Sequence, residues 1–255
     1  MVRLKIFFQA LENYTTQRNR ILNTVNSQLI RAYNLNVPSL IPNETFGIVR
    51  GFVRRIGQEH DPDIIAIGEF EDPSHAPNME KYEVHSFPYR ASNDRRRDMT
   101  LFYKNRNHAN ARSLDNNTFW NCVEYTRDCG GGSNKSWKIL FVHTPNANKG
   151  QVLPNIAQYF NYRYDAIIGD FNVGGRDAYK GLNIALAEDQ PNPGPLQKAL
   201  LEYVNQHVGV ITAQDVKVLE NTVRGKLPVY ENQIGGKKVR HLLGEHRGFF
   251  CTLEK

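Results

Sequence analysis

Asp165–Asn172 reads D-A-I-I-G-D-F-N, a short apolar run that ends in a glycine and polar groups. The run Ala166–Ile168 is typical of a buried strand, and Gly169 then frees the backbone so that Asp170 and Asn172 emerge at the strand's end. A carboxylate there can orient a water by accepting its protons, and an amide can donate a hydrogen bond to a phosphoryl oxygen. An Asx turn that merely closes a strand would need the same residues, so the segment alone leaves both interpretations open.

A second segment ends in the same way. Ile64–Ile67 is fully apolar and predicts another buried strand, which Gly68 and Glu69 terminate. Two strand ends that each present an acid after a glycine would suit a divalent-metal site at one edge of a sheet. Mg²⁺ prefers oxygen ligands and keeps several waters, so one or two carboxylates are sufficient. The acidic run Glu69–Asp72 could equally be a solvated turn.

A third apolar strand, predicted over Lys138–Val142, leads into H-T-P-N-A-N-K-G at His143–Gly150. His143, Asn146 and Lys149 place a titratable ring, an amide and a cation within a few residues of the strand's end. All three groups suit phosphate chemistry. His143 could instead cap the strand through a backbone hydrogen bond.

The remaining elements are predicted from the spacing of apolar residues. Helices are expected over about Thr15–Tyr33, Glu44–His60, Gln151–Tyr162 and Leu196–Val208, and further strands over about 3–11, Tyr82–Ser86, Met99–Tyr103, Phe119–Tyr125 and Phe249–Leu253. The 255 residues contain neither a repeat nor a linker rich in proline, glycine and serine, so we expect one domain over residues 1–255.

The composition limits the classes of partner and compartment. The formal net charge is +6, which is consistent with a polyanionic partner, although many soluble proteins carry such a charge without binding nucleic acid. Met1–Phe8 is charged too early for a signal peptide, and no apolar run of about 18 residues could span a membrane. We therefore expect a cytoplasmic chain without a membrane partner. Of the three cysteines, Cys122 and Cys129 flank a predicted loop and could pair if oxidised.

Four motifs together resemble the endonuclease/exonuclease/phosphatase superfamily, whose members include DNase I and exonuclease III-type abasic-site endonucleases. They are I-G-E at Ile67–Glu69, H-T-P-N-A at His143–Ala147, G-D-F-N at Gly169–Asn172 and G-E-H-R at Gly244–Arg247. They occur in the family's order and extend over nearly the whole chain. The resemblance implies an α/β fold of the DNase I-like type, a four-layer α/β/β/α sandwich with two packed mixed β-sheets and the site at one edge of the sheets.

The resemblance also implies catalytic roles. Glu69 matches the family's metal-binding glutamate, and Asp170 matches the aspartate that orients the attacking water. Asn172 matches the family's asparagine that lies near this aspartate and contacts the phosphoryl oxygen. His246 matches the terminal histidine that contacts the scissile phosphate. Glu245 takes the place of the aspartate that precedes this histidine, and it is a further candidate metal ligand.

Phosphate contacts follow from the same resemblance. His143 falls where DNase I-like members have a histidine and abasic-site enzymes a tyrosine, and Asn146 matches an amide in the same loop. Lys149 stands where the abasic-site enzymes carry an arginine. Arg176, and Arg247 beside the terminal histidine, would add to a basic track for a polyphosphate backbone. The same number of basic residues would also be found if lysines and arginines were scattered on loops and bound no nucleic acid.

Besides Glu245, the sequence departs from the family pattern at two further places. In the first strand, Gln9–Ala10 replaces the usual ending in asparagine, so Glu12 could replace an acidic metal neighbour and Asn13 the amide. The aspartate that normally pairs with the terminal histidine is not visible ahead of the last motif, where His241 is nearby and Asp215 is a distant candidate. These departures leave open an activity that is weak, altered or absent.

The sequence as a whole predicts a metal-dependent phosphodiester hydrolase that uses Mg²⁺, or Mn²⁺ in its place. We expect its substrate to be nucleic acid, with a monomeric DNA endonuclease as the specific prediction. One alternative is a phosphatase or phosphodiesterase of a small or lipid-linked phosphate ester, which a preference for a soluble ester over plasmid would identify. The other is a catalytically impaired nucleic-acid-binding homologue, which would bind DNA without cutting it at any metal concentration.

Overall fold

The computed structural model describes residues 1–11, 42–69, 77–87, 99–106, 108–113, 121–129, 136–143, 164–170, 208–213, 215–221, 229–234, 236–243 and 248–255, together with Asn19, Asn23, Ser27 and Gln28. These residues include a 19-residue helix, α1 (Pro42–His60), and thirteen β-strands. The strands are β1 (Arg3–Ala10), β2 (Ile64–Gly68), β3 (Glu83–Phe87), β4 (Met99–Tyr103), β5 (Asn110–Ser113), β6 (Asn121–Asp128), β7 (Ser136–His143), β8 (Ala166–Asp170), β9 (Val208–Thr212), β10 (Lys217–Asn221), β11 (Val229–Ile234), β12 (Lys237–Leu242) and β13 (Phe249–Glu254).

Most of these strands form two mixed sheets. The first sheet has the order β10-β13-β1-β2-β4-β3 and the second the order β5-β6-β7-β8-β9, while β11 and β12 form a separate antiparallel hairpin. Within the sheets, β1 and β2 are parallel and so are β7 and β8. Parallel neighbours need a crossover connection, and α1 lies in the crossover from β1 to β2. Each sheet therefore has one parallel pair near its centre.

The two sheets pack face to face around an apolar core. Successive side chains of a strand point to opposite faces, so Leu4, Ile6 and Phe8 of β1 all point inward. From the second sheet, Trp137 and Phe141 enter the same core and are fully buried. This shared core fixes one sheet relative to the other.

Helix α1 covers the outer face of the first sheet. Its apolar residues, including Phe52 and Ile56, recur at helical spacing and pack against Phe7 and Ile65 of β1 and β2. The rings of Phe7 and Phe52 lie 6.2 Å apart between centroids. Asp61–Pro62 then ends the helix, since the residue before a proline disfavours helical geometry.

The outer face of the second sheet is also covered. Leu140, Val142 and Ile167 point away from the shared core, and all three are fully buried. Covered outer faces on both sheets are what the predicted α/β/β/α sandwich requires, so the fold class is confirmed.

Ion pairs join the two sheets at the edge where β2 and β8 begin. Arg127 on β6 lies 3.3 Å from the Asp63 carboxylate just before β2, and it also donates to the backbone oxygen of Arg3. Lys255, after β13, donates to both carboxylate oxygens of Asp165, just before β8. These contacts stabilise the edge opposite to the ends of the parallel strands.

Several predicted elements are confirmed with ends that shift by a few residues. They are the first strand, the helix that ends at His60, the strands near residues 64–67, 82–86, 99–103, 119–125 and 138–142, and the last strand. Asn19, Asn23, Ser27 and Gln28 of the first predicted helix are helical. The predicted helix Gln151–Tyr162 lies outside the described residues. Among the described helices, none is long and apolar enough to cross a bilayer.

Three predictions about local structure were wrong or incomplete. The helix predicted to end at Val208 cannot include that residue, because Val208 begins strand β9. Strands β5, β10, β11 and β12 were not predicted, because their many polar and basic residues obscure the alternation of apolar and polar side chains that is typical of a strand. Cys122 and Cys129 cannot pair, because they lie at opposite ends of β6 and an extended strand rises about 3.3 Å per residue.

Gly169→Ala should destabilise the fold by about 1–3 kcal/mol, because the close approach of β7 and β8 leaves no room for a side chain. A Cβ at this position would overlap the carbonyl oxygen of Val142 and lie 2.8 Å from its carbonyl carbon. Gly47→Ala in α1 is the matched control, since nothing lies within 4 Å of its Cβ. Alanine there should raise the free energy of unfolding by about 0.5–1 kcal/mol. Urea unfolding of both variants measures the two effects, and equal effects would contradict the packing argument.

Candidate active site

Three side chains meet at the edge where the parallel strands end. Glu69 follows β2 of the first sheet, whereas His143 and Asp170 end the neighbouring strands β7 and β8 of the second. His143 Nε2 lies 3.6 Å from Glu69 Oε1 and 4.0 Å from Asp170 Oδ2. The structure thus brings together a residue from each of the three strand ends that the sequence singled out.

Burial makes this cluster electrostatically strong. The side chains of His143 and Asp170 are 4% and 2% exposed, and that of Glu69 is 18% exposed. Charges in such surroundings interact more strongly than in water, because little solvent screens them. Glu69 is the most accessible of the three and therefore the one best placed to meet a ligand from solvent.

The backbone of Glu69 has an unusual conformation. Its φ angle is +59°, in the left-handed region that residues other than glycine seldom adopt. The ladder continues beside it, where Leu11 N donates to Gly68 O at 2.9 Å. Such a conformation costs about 1–3 kcal/mol and is typical of functional sites. The strain supports a functional role for this carboxylate.

Small residues line the same edge between the sheets. Ala10 of β1 pairs with Gly68 of β2, and a Cβ on Gly68 would lie 3.7 Å from the Ala10 Cα. Ala10 belongs to the core shared by the two sheets, so its methyl group faces the space between them. Gln9 points to the other face, where it is fully buried and its Nε2 donates to Ala10 O at 2.6 Å. The Gln9 amide therefore does not face the space between the sheets.

The sequence offered two residues as partners of the terminal histidine, which itself lies outside the described residues. Asp215 follows β9 at its far end, whereas Val208 at its near end pairs with Asp170. The length of β9 alone separates these ends by about 13 Å. His241 is fully buried beside apolar residues, and burial lowers its pKa to about 4, so it is neutral at pH 7.

The other predicted site residues lie outside the described residues: Glu12, Asn146, Lys149, Asn172, Arg176, Glu245, His246 and Arg247. Within the described residues, no group of three or more His, Cys, Asp and Glu side chains is arranged to hold a metal ion. The donor chemistry still fits a hard cation, since Glu69 and Asp170 offer carboxylate oxygens and Mg²⁺ needs only one or two of them beside its waters.

Comparisons with solved structures give matches over almost the whole chain. A humanized TDP2 of D. rerio with 14 mutations has a TM-score of 0.57 and 11% identity, over 99% of both chains. An endonuclease/exonuclease/phosphatase family protein from Bacteroides thetaiotaomicron has a TM-score of 0.56 and 12% identity, over 99% of this chain and 95% of that one. The AP endonuclease LMAP from Leishmania major has a TM-score of 0.54 and 13% identity, over 99% of this chain and 88% of that one. The chain has the endonuclease/exonuclease/phosphatase fold.

At these identities the likeness concerns the fold. No protein-family model and no curated protein sequence matches the chain. Glu69, His143 and Asp170 lie together at one edge of the two packed sheets.

His241 should make the stability of the protein depend on pH between about 6.5 and 4. In this range the unfolded chain binds a proton that the folded protein excludes, so stability is full above pH 6.5 and is lost as the pH falls towards 4. The total loss is on the order of 3 kcal/mol. Urea unfolding at several pH values should show a shallower pH dependence for His241→Gln than for the wild type.

His85→Gln is the control for this prediction, because His85 is an exposed histidine on β3. Its pH dependence should match that of the wild type. If both variants kept the wild-type slope, His241 would not be the group responsible.

Proposed function

We propose that the protein is a Mg²⁺-dependent phosphodiesterase that hydrolyses nucleic acid, and specifically a DNA endonuclease. The observation that carries the proposal is the meeting of Glu69, His143 and Asp170 across two sheets of this fold. The net charge of +6 favours a polyanionic substrate. One of the similar structures is an AP endonuclease, which adds support at the level of the fold.

Asp170 is the proposed acceptor for the attacking water. Its carboxylate is almost fully buried beside His143, so a water held there would be oriented by a fixed and poorly solvated charge. The water attacks phosphorus, the bond to the leaving oxygen breaks, and the water's proton passes to Asp170. His143, between the two carboxylates, is placed to donate a proton to the leaving oxygen.

Glu69 is the proposed metal ligand, with Glu12 and Glu245 as further ligands. Mg²⁺ bound there would neutralise charge that develops on the phosphoryl oxygens. Asn172 and His246 would donate hydrogen bonds to the same oxygens. Asn146, Lys149, Arg176 and Arg247 are the proposed contacts to the nucleic-acid backbone, because amides and cations bind phosphate oxygens.

A second candidate function is supported by Ala10. Its methyl group lies on this edge, at the end of the strand where the resemblance leads us to expect an amide, so residue 10 cannot itself bind the phosphate or a metal-bound water. A catalytically impaired homologue that binds nucleic acid would have such a substitution. It would retain DNA binding and show no cleavage at any concentration of Mg²⁺ or Mn²⁺.

Supercoiled plasmid should be nicked by the wild type with Mg²⁺ and left intact with EDTA. Asp170→Asn and Glu69→Asn should each lower the rate by about 10²–10⁴-fold, because each replaces a carboxylate by a neutral amide, which is isosteric at residue 170 and one methylene shorter at residue 69. Asparagine also tolerates the left-handed backbone of residue 69, so Glu69→Asn should remain as stable as the wild type. His246→Ala should lose nicking as well.

Asp215→Asn is the matched control for Asp170→Asn, since Asp215 is exposed at the far end of β9. Its nicking rate should equal that of the wild type. A wild type that hydrolyses a soluble phosphate ester but spares plasmid would overturn the nuclease proposal in favour of a small-ester hydrolase. A wild type that binds DNA and cuts nothing would favour the impaired homologue.

A further inference from the structure

The β11–β12 hairpin is held firmly against helix α1. The ring of Tyr230 packs where Gly51 has no side chain, and a Cβ at Gly51 would overlap that ring. The guanidinium of Arg55 lies 5.5 Å from the centroid of the same ring. On the other strand, Gln28 accepts from Arg240 N at 3.0 Å and donates to Arg240 O at 2.8 Å. The hairpin therefore has a fixed position on the outer layer of the sandwich.

The two faces of β12 differ in chemistry. Val239, His241 and Leu243 are buried, whereas Lys238 and Arg240 alternate with them and are exposed. Two residues along a strand separate the exposed cations by about 7 Å, so they can contact different phosphates. The buried face anchors the strand and leaves the basic face open to solvent.

A surplus of positive charge surrounds one carboxylate on this outer face. Lys238 Nζ lies 2.8 Å from Glu231 Oε2, and Arg240 is the register partner of Glu231. The hydrogen bond from Lys238 lowers the pKa of Glu231, and the charges of Lys238, Arg240 and Arg55 lower it further. Arg55 Nε also lies 4.0 Å from Glu59 Oε1 on the same helix, so these three cations share two carboxylates and keep a surplus of one positive charge. We call Arg55, Glu231, Lys238 and Arg240 the hairpin patch.

The hairpin patch is connected to the proposed site through the chain. β12 ends at Leu242, and after a short segment that includes His246, β13 starts at Phe249 beside Phe8 of β1. β1 then ends at Ala10, on the edge that carries the site. A polyanion bound at the site could therefore continue outward over the hairpin.

We propose that the hairpin patch binds the phosphate backbone of a nucleic acid that extends beyond the site. This inference rests on the proposed function for the class of ligand. Lys238, Arg240 and Arg55 bind phosphates as charges, without contacts that select a base, so the binding depends on salt and not on sequence. Glu231 weakens the binding, because it neutralises part of the patch.

Binding can be measured separately from cleavage in full-length Asp170→Asn protein with Mg²⁺. Fluorescence anisotropy of a fluorescein-labelled DNA duplex over a series of NaCl concentrations gives Kd and its salt dependence. Adding Lys238→Gln and Arg240→Gln should weaken binding about tenfold and reduce the slope of log Kd against log salt by about 2. Adding Glu231→Gln instead should tighten binding about twofold to fivefold, since it removes the anion.

The control variant loses two positive charges as well, but at the edge of the sheets opposite to the proposed site. Lys81 and Arg106 are exposed and lie near Asp61, at the edge where β2 begins. Lys81→Gln with Arg106→Gln should leave Kd within about twofold of the Asp170→Asn protein, because neither residue belongs to the hairpin patch. Urea unfolding of each variant verifies that it is folded.

The outcomes separate the two proposals. Equal loss of binding in the hairpin and control variants, or no change in Kd and salt slope for the hairpin variant, would overturn the role of the hairpin patch. Hairpin-dependent binding by a protein that never nicks plasmid would support the patch and overturn the catalytic proposal. A protein that binds no duplex at any salt concentration would overturn both.

Discussion

The packing of two mixed sheets with their parallel pairs in the same orientation is the constraint on which the site depends. β1 and β2 end at the same edge as β7 and β8, and the shared core between the sheets fixes how close those ends approach. Glu69 from one sheet and His143 from the other can meet at 3.6 Å because of this arrangement. A strand register shifted by one residue would turn these side chains to the opposite faces of their sheets.

The two edges of the sandwich have opposite character. At the site, two carboxylates approach Nε2 of one histidine, and the left-handed backbone of Glu69 is a local source of strain. At the other edge, Arg127 with Asp63 and Lys255 with Asp165 join the sheets through favourable ion pairs. A stable frame held together away from the site can tolerate strain where ligands are expected to bind.

The outer layer combines a structural role with an exposed charge. The β11–β12 hairpin contributes Val239 and Leu243 to the apolar layer on α1, while the opposite face of β12 presents Lys238 and Arg240. The sequence shows Arg55 in a predicted helix and Arg240 near the end of the chain. It gives no indication that these two residues lie near the same glutamate. That association appears only when Tyr230 packs against Gly51.

The sequence by itself determined the buried strands and the chemistry at their ends, because apolar runs such as Ile64–Ile67 and Ala166–Ile168 specify strands locally and their glycines specify where they end. It did not determine β9 or the hairpin, since Val208 continues a helix-like pattern and the polar residues of β11 hide its alternation. Only the tertiary structure decided that Glu69, His143 and Asp170 share one edge, that Asp215 lies towards the opposite edge, and that Gln9 turns away from the site. These relations join residues far apart in the chain, and they follow from how the two sheets and their outer layers fit together, which local sequence patterns do not encode.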